Sequence, residues 1–242
     1  MKTHQLIEIE NVKNANRVLK NLLERTRVEV VGIGLFYGKP GLGKTRWSSR
    51  TSLDNDYIYI RLELAISTKD FLKDLLCKLI HKTMPYYEVK GTTNGIYNQI
   101  LDILRRDMNI IIVLDEIDYT FKNGKILATI RDLADQSLVT FVLVWMEKAK
   151  EKLVKINPHF FSRCNSFYEF QPLNLNDAGS IINELCEIKV DEQIIQYIYS
   201  RCNGTLRIIN RYIDALERIA KRMKKNELSF GEIKDIITRL EA

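Results

Sequence analysis

Apolar residues along the chain follow two alternating rhythms. Short continuous runs at 28–37, 57–62, 110–114, 139–145 and 166–170, rich in Val, Ile, Leu, Phe and Tyr, predict strands. Between them the spacing turns helical. An N-terminal helix is expected over 15–24, and a second over 69–82 carries Phe71, Leu72, Leu75, Leu76 and Leu79 on one face. The segments 95–106 and 125–135 behave in the same way. Strands that are apolar throughout must be covered on both faces, so the succession predicts an α/β fold: a parallel sheet flanked by helices. After Pro172 no strand pattern follows and the spacing is helical throughout. Asn176 can cap a helix running to Leu185, Asp191 starts a second, Thr205 a third running to Met223, and Ser229 a fourth. The expected organisation is an α/β core over 1–172 and a small all-helical domain over 173–242, with a boundary near Leu173. Thr92-Thr93-Asn94-Gly95 reads as a loop, and no internal repeat or low-complexity segment is evident.

Composition narrows the class. With 45% hydrophobic and 28% charged residues among 242, the balance is that of an ordinary soluble protein able to bury a substantial core. The longest uncharged apolar runs, 110–114 and 139–146, are far shorter than the ~18 residues needed to cross a bilayer, and no N-terminal signal pattern is visible. A cytoplasmic protein without a membrane partner is expected. Cys77, Cys164, Cys186 and Cys202 are scattered and do not cluster with His4, His81 or His159, which predicts reduced thiols and no metal site built from them. A net charge of +6 and a pI near 9.0 favour an acidic partner. Lysines gather at Lys148, Lys150, Lys152 and Lys155, and a second basic set at Arg218, Lys221, Arg222, Lys224 and Lys225. Each set either grips phosphates or is a solvated helix face.

The chemistry is concentrated at two points. Gly38-Lys39-Pro40-Gly41-Leu42-Gly43-Lys44-Thr45 follows the first predicted strand and matches G-x-x-x-x-G-K-[ST], the phosphate loop of nucleoside triphosphate sites. Its glycines let the backbone turn so that successive N–H groups face a phosphate from the start of a helix that continues through Arg46. Lys44 would neutralise the β- and γ-phosphates, and Thr45 would give its hydroxyl to Mg²⁺. The second point is the run 110–114, which leads directly into Asp115-Glu116. Ligands of open α/β sheets sit beyond the carboxyl ends of the strands, so Asp115 would emerge beside the phosphate loop and hold magnesium through water. Glu116, one residue on, would orient and deprotonate the attacking water.

With a phosphate loop, an Asp-Glu strand end and a helical C-terminal lid, the chain resembles AAA+ ATPases. That resemblance gives meaning to two arginines. Arg163, in Phe160-Phe161-Ser162-Arg163-Cys164, matches the position of an arginine finger that reaches a neighbouring subunit's γ-phosphate. Arg207, in Gly204-Thr205-Leu206-Arg207, matches the second sensor arginine that ties the lid to the nucleotide. Within the superfamily the chain is most similar to the MuB/TnsC group of DNA-transposition ATPases. The likeness is carried by Asp115-Glu116, by Ile130-Arg131-Asp132-Leu133-Ala134-Asp135 with Val139-Thr140-Phe141-Val142-Leu143-Val144, by Phe161-Ser162-Arg163, and by Gly204 and Arg207 ahead of a long helix. It implies ATP-dependent, largely sequence-independent binding of double-stranded DNA, assembly into a ring or helical filament, and contact with a transposase. DNA contacts in such assemblies come from loops facing the central axis, which points to Lys69, Lys122 and Lys125.

Two departures stand out. The 37 residues before Gly38 are expected to be too few for the N-terminal helix-turn-helix domain of MuB, and the first-sensor position, usually polar, carries Trp145 and Met146, so that either hydrolysis is slow or Glu147 substitutes. Two alternatives share the engine: a replication helicase loader or origin factor, and a nucleotide-gated protein-interaction switch without DNA contact. Against an origin-binding initiator, the 38 residues from Thr205 to Ala242 leave no room for a winged-helix module.

Overall fold

The strands β1 (Ile33–Gly38), β2 (Ile58–Arg61), β3 (Ile111–Asp115), β4 (Thr140–Val144) and β5 (Cys164–Phe170) pair in parallel in the order β2-β3-β4-β1-β5. The computed structural model describes residues 6–81, 89–118 and 124–232. Helices α1 (Glu10–Leu23), α2 (Lys44–Asp54), α3 (Thr68–His81), α4 (Thr93–Arg106), α5 (Gly124–Ser137), α6 (Ala149–Ile156) and α7 (Pro158–Phe161) connect or flank these strands. Because side chains alternate across a strand, each face of the sheet has its own apolar set. Ile58, Ile60, Ile112, Leu114, Phe141, Leu143, Ile33 and Leu35 join one core with α3, α4 and α5, through residues such as Phe71, Leu75, Ile100, Ile130 and Leu133. On the other face Trp47 of α2 is buried and stacks on Phe36 of β1 with ring centroids 4.6 Å apart. Its indole N–H donates to Asn16 Oδ1 of α1 at 2.8 Å.

The chain divides into two compact units, one of Ala15–Lys39 with Lys44–Phe170, the other of Met1–Asn14, Pro40–Gly43 and Gln171–Ala242. The first holds the five-stranded sheet. The second contains α8 (Leu175–Leu185), α9 (Glu192–Cys202) and α10 (Leu206–Met223). Buried Ile181, Ile182, Ile194, Ile198, Ile209, Ile213 and Leu216 form its apolar interior. Asp191 caps α9, one carboxylate oxygen accepting from Ile194 N at 2.8 Å and the other from Phe230 N at 2.7 Å.

Several expectations are corrected. Residues 28–31 are not strand: Val30 N and Glu29 N turn back onto Thr26 O at 2.9 and 3.1 Å, and Val28 is exposed. Arg25 enforces the turn, since its guanidinium gathers the carbonyls of Leu22, Val30, Leu138 and Val139 and the hydroxyl of Thr140. Burial, with Arg27 adding to it, lowers its pKa to about 10. Helix α4 begins at Thr93, with Thr92 as its cap accepting from Gly95 N at 3.1 Å, so 92–95 is a helix start rather than a loop. Helix α8 is capped by Asn174, not Asn176: Asp177 N donates to Asn174 Oδ1 at 2.7 Å. Nor is the C-terminal region purely helical, because β6 (Lys189–Val190) pairs in parallel with β7 (Glu227–Leu228). Two-residue strands are too short to show a period-2 pattern. Helix α1 starts five residues earlier than its apolar spacing predicts. The Asn11 side chain exchanges two hydrogen bonds with the Gln171 backbone, at 2.7 and 2.9 Å, and Glu10 N donates to Asp177 at 3.2 Å.

Cys164, Cys186 and Cys202 are buried and unbridged, and burial pushes the Cys164 thiol up to about 12, which makes it inert. No helix among the described residues is long and apolar enough to cross a membrane.

Candidate nucleotide site

The phosphate loop leaves the carboxyl end of β1, and Lys44 and Thr45 open α2. Lys44 is buried, and its ammonium donates to the carbonyls of Gly38 and Lys39, both at 2.8 Å. A buried lysine without such partners would be strongly disfavoured. At the loop's centre the backbone is left-handed, with φ of +83° at Gly41 and +95° at Gly43. A Cβ at Gly41 would lie 2.7 Å from Thr205 Cγ2 and 3.4 Å from Arg207 Cβ, and one at Gly43 would lie 3.2 Å from Leu206 Cδ2. Glycine is required there by both conformation and contact. Arg207 N donates to Gly41 O at 3.3 Å, so the start of α10 is joined to the loop segment of its own unit. Arg46 is half-buried on α2, and burial lowers its pKa. Lys39 and Pro40 are exposed, while Leu42 is buried.

Asp115 ends β3 at the same carboxyl edge, with β4 lying between β3 and β1. It is 2% exposed, and both its oxygens are held: Oδ1 accepts from Glu116 N and Oδ2 from the Tyr59 hydroxyl, each at 2.9 Å. Glu116 takes a left-handed conformation, φ +58°, which is costly for a residue with a side chain and recurs at functional sites. Its Oε1 pairs with Arg61 Nη2 at 3.3 Å, a largely solvated contact worth little to stability. Tyr59 and Arg61 lie two residues apart on β2, and the register sets Arg61 opposite Asp115. Burial, and then the Asp115 charge, pushes the Tyr59 phenol well up, so it stays a donor at neutral pH.

At the expected first-sensor position Trp145 is a buried ring, and Met146 N donates to Asp118 Oδ2 at 3.0 Å. Burial pushes the Asp118 carboxyl up to about 6. Glu147 is half-buried in the turn before α6. Arg163 immediately precedes β5, where its Nε donates to Asp135 Oδ2 at 3.2 Å. Lys69 is exposed in the first turn of α3 and Lys125 in that of α5, whereas Lys122 lies outside the described residues.

Tyr59, Arg61 and Asp118 are the polar residues at this edge that motif reasoning passed over. The alternation Tyr57-Ile58-Tyr59-Ile60-Arg61 does separate a polar from an apolar strand face. It gives no sign that the polar face meets the acidic end of another strand.

A phosphate loop after the first strand of a parallel sheet, with an acidic pair ending another strand of that sheet, defines a P-loop nucleoside triphosphatase. The AAA domain family matches residues 27–153, over half of the chain, and the chain belongs to it. Family and fold together support nucleotide binding and hydrolysis. No curated protein matches the sequence. Among solved structures, the ORC2 protein of Aeropyrum pernix in its ADP form superposes with a TM-score of 0.69 at 15% identity, over 98% of this chain and 71% of that one. The ORC1 protein of the same organism in complex with DNA gives 0.65 at 18%, over 96% and 64%. A RuvB variant of Thermotoga maritima gives 0.65 at 16%, over 100% and 74%. At these identities the likeness is one of fold.

Proposed function

We propose that this protein is a magnesium-dependent ATPase that binds duplex DNA, largely without sequence preference, as an ATP-bound homo-oligomer. The observation that supports its ATPase part is that Lys44 and Thr45 follow the carboxyl end of β1 while Asp115 and Glu116 lie at that of β3 in the same parallel sheet. In this reading the loop N–H groups and Lys44 bind the phosphates. The Thr45 hydroxyl and the buried Asp115 carboxylate are hard oxygen donors that suit hydrated Mg²⁺. Bound magnesium supplies charge neutralisation at the phosphate oxygens. Glu116 orients the attacking water and accepts its proton. Arg163 of a neighbouring copy stabilises the transferring charge, and Arg207 couples α10 to nucleotide state. A finger acting in trans requires head-to-tail copies, as in a ring or a helical filament, so specific activity should rise with protein concentration.

The DNA role is target selection together with a transposase, supported by the motif likeness to the MuB/TnsC group. A second reading, replication initiation, draws support from the fold likeness to ORC proteins. The deciding experiment is ATP hydrolysis with and without non-specific duplex, beside a Lys44→Ala control. Stimulation by DNA that Lys44→Ala abolishes is expected, together with ATP-dependent filaments on non-specific DNA. DNA-independent turnover without duplex binding would replace both readings with a protein-interaction switch.

A further inference from the structure

The geometry points to Tyr59 as the positioning residue of the Asp115 carboxylate, and so as a determinant of how readily the nucleotide site takes up Mg²⁺; we propose this on the basis of the ATPase reading above. The β2 and β3 register brings Arg61 opposite Asp115 and sets Tyr59 one side-chain repeat behind, on the same sheet face. From there the phenol reaches forward to Oδ2 at 2.9 Å while the Glu116 N–H holds Oδ1. A carboxylate with one anchored oxygen can still swing about its terminal bond, but one anchored at both presents its remaining lone pairs in a single orientation.

Tyr59 is half-buried on β2, and its hydroxyl proton goes to the Asp115 carboxylate. A hydroxyl donating to an ionised acceptor is among the stronger hydrogen bonds, and outer partners of this kind commonly set metal affinity over about 10–100-fold. Tyr59 touches neither nucleotide nor the attacking water in this scheme. It acts through Asp115.

The test is an Mg²⁺ titration of mant-ATP binding, followed by fluorescence anisotropy on the full chain, for wild type, Tyr59→Phe, Asp115→Asn and the double variant. Tyr59→Phe should bind mant-ATP in EDTA like wild type, yet need about tenfold more Mg²⁺ for half-maximal enhancement. In the Asp115→Asn background the same change should add nothing, because non-additivity is the mark of one residue acting through another. A Tyr59→Phe midpoint equal to that of wild type, or an unchanged increment in the double variant, overturns the proposal while leaving the ATPase reading intact. A wild type whose binding is insensitive to both Mg²⁺ and Lys44→Ala overturns the ATPase reading and the proposal with it. If Tyr59→Phe does not fold, Tyr59→Leu, which also lacks the hydroxyl, reads the same midpoint: a rise supports the positioning role and an unchanged value overturns it.

Discussion

Gly41→Ala tests whether the centre of the phosphate loop is built for glycine by its own conformation and by its neighbours. With φ at +83°, an alanine would carry a left-handed backbone penalty of about 1–2 kcal/mol. Its Cβ would sit 2.7 Å from Thr205 Cγ2, a stiff β-branched methyl that cannot move aside without shifting the backbone. Overpacking of this kind adds about 1–3 kcal/mol. Relief of the clash also works against the Arg207 N–H bond to Gly41 O. The sum, about 2–5 kcal/mol, corresponds to a fall in Tm of roughly 5–15 °C for a chain of this size. Differential scanning calorimetry reads the stability, and mant-ATP anisotropy should show loss of nucleotide binding in the folded variant. Gly124→Ala provides the opposite sign. That residue opens α5, and a methyl added there would have nothing within 4 Å, so alanine should stabilise by up to about 1 kcal/mol. The reasoning fails if Gly41→Ala melts within about 1 °C of wild type and binds ATP normally.

Three further outcomes are expected. The Asp118 carboxyl is pushed up to about 6 by burial, so the native state binds the extra proton and stability falls as pH rises from about 4, where an unfolded aspartate titrates, to about 6. Asp118→Asn should flatten that slope in urea unfolding measured from pH 4 to 7, and an unaltered slope would assign the pH dependence elsewhere. Arg163→Ala should leave Tm almost unchanged, since a largely solvated ion pair contributes about 0–1 kcal/mol, while strongly reducing hydrolysis at concentrations where wild type assembles. Full activity in that variant would remove Arg163 as a finger. Charge reversal at Lys69 and Lys125, or at Lys122 and Lys125, should weaken duplex binding and lower its salt dependence without altering ATP affinity, as electrophoretic shifts at two salt concentrations would reveal. Unchanged shifts would exclude these lysines.

The sequence by itself determined what is encoded locally. A glycine spacing dictates a loop that only glycine can form, an apolar run of five residues ending in Asp115-Glu116 dictates a buried strand with an acidic end, and alternating rhythms dictate strands separated by helices. All of these hold in the structure, because each depends on residues within a few positions of one another. Sheet order and register were decided only in three dimensions. Tyr59 reaches Asp115 across 56 residues and Arg61 reaches Glu116 across 55, and both contacts exist because β2 and β3 pair with Arg61 opposite Asp115. Neighbouring choices of cap were settled in the same way. Asn174 and Asn176 both satisfy the local rule for capping α8, yet Asn174 also donates to Glu10 Oε2 at 3.1 Å, and the helix starts there. The early start of α1 has the same origin, in the bonds of Glu10 and Asn11 to residues more than 150 positions away. Local pattern fixes which groups a segment offers, whereas packing of the sheet and helices decides which distant group meets them.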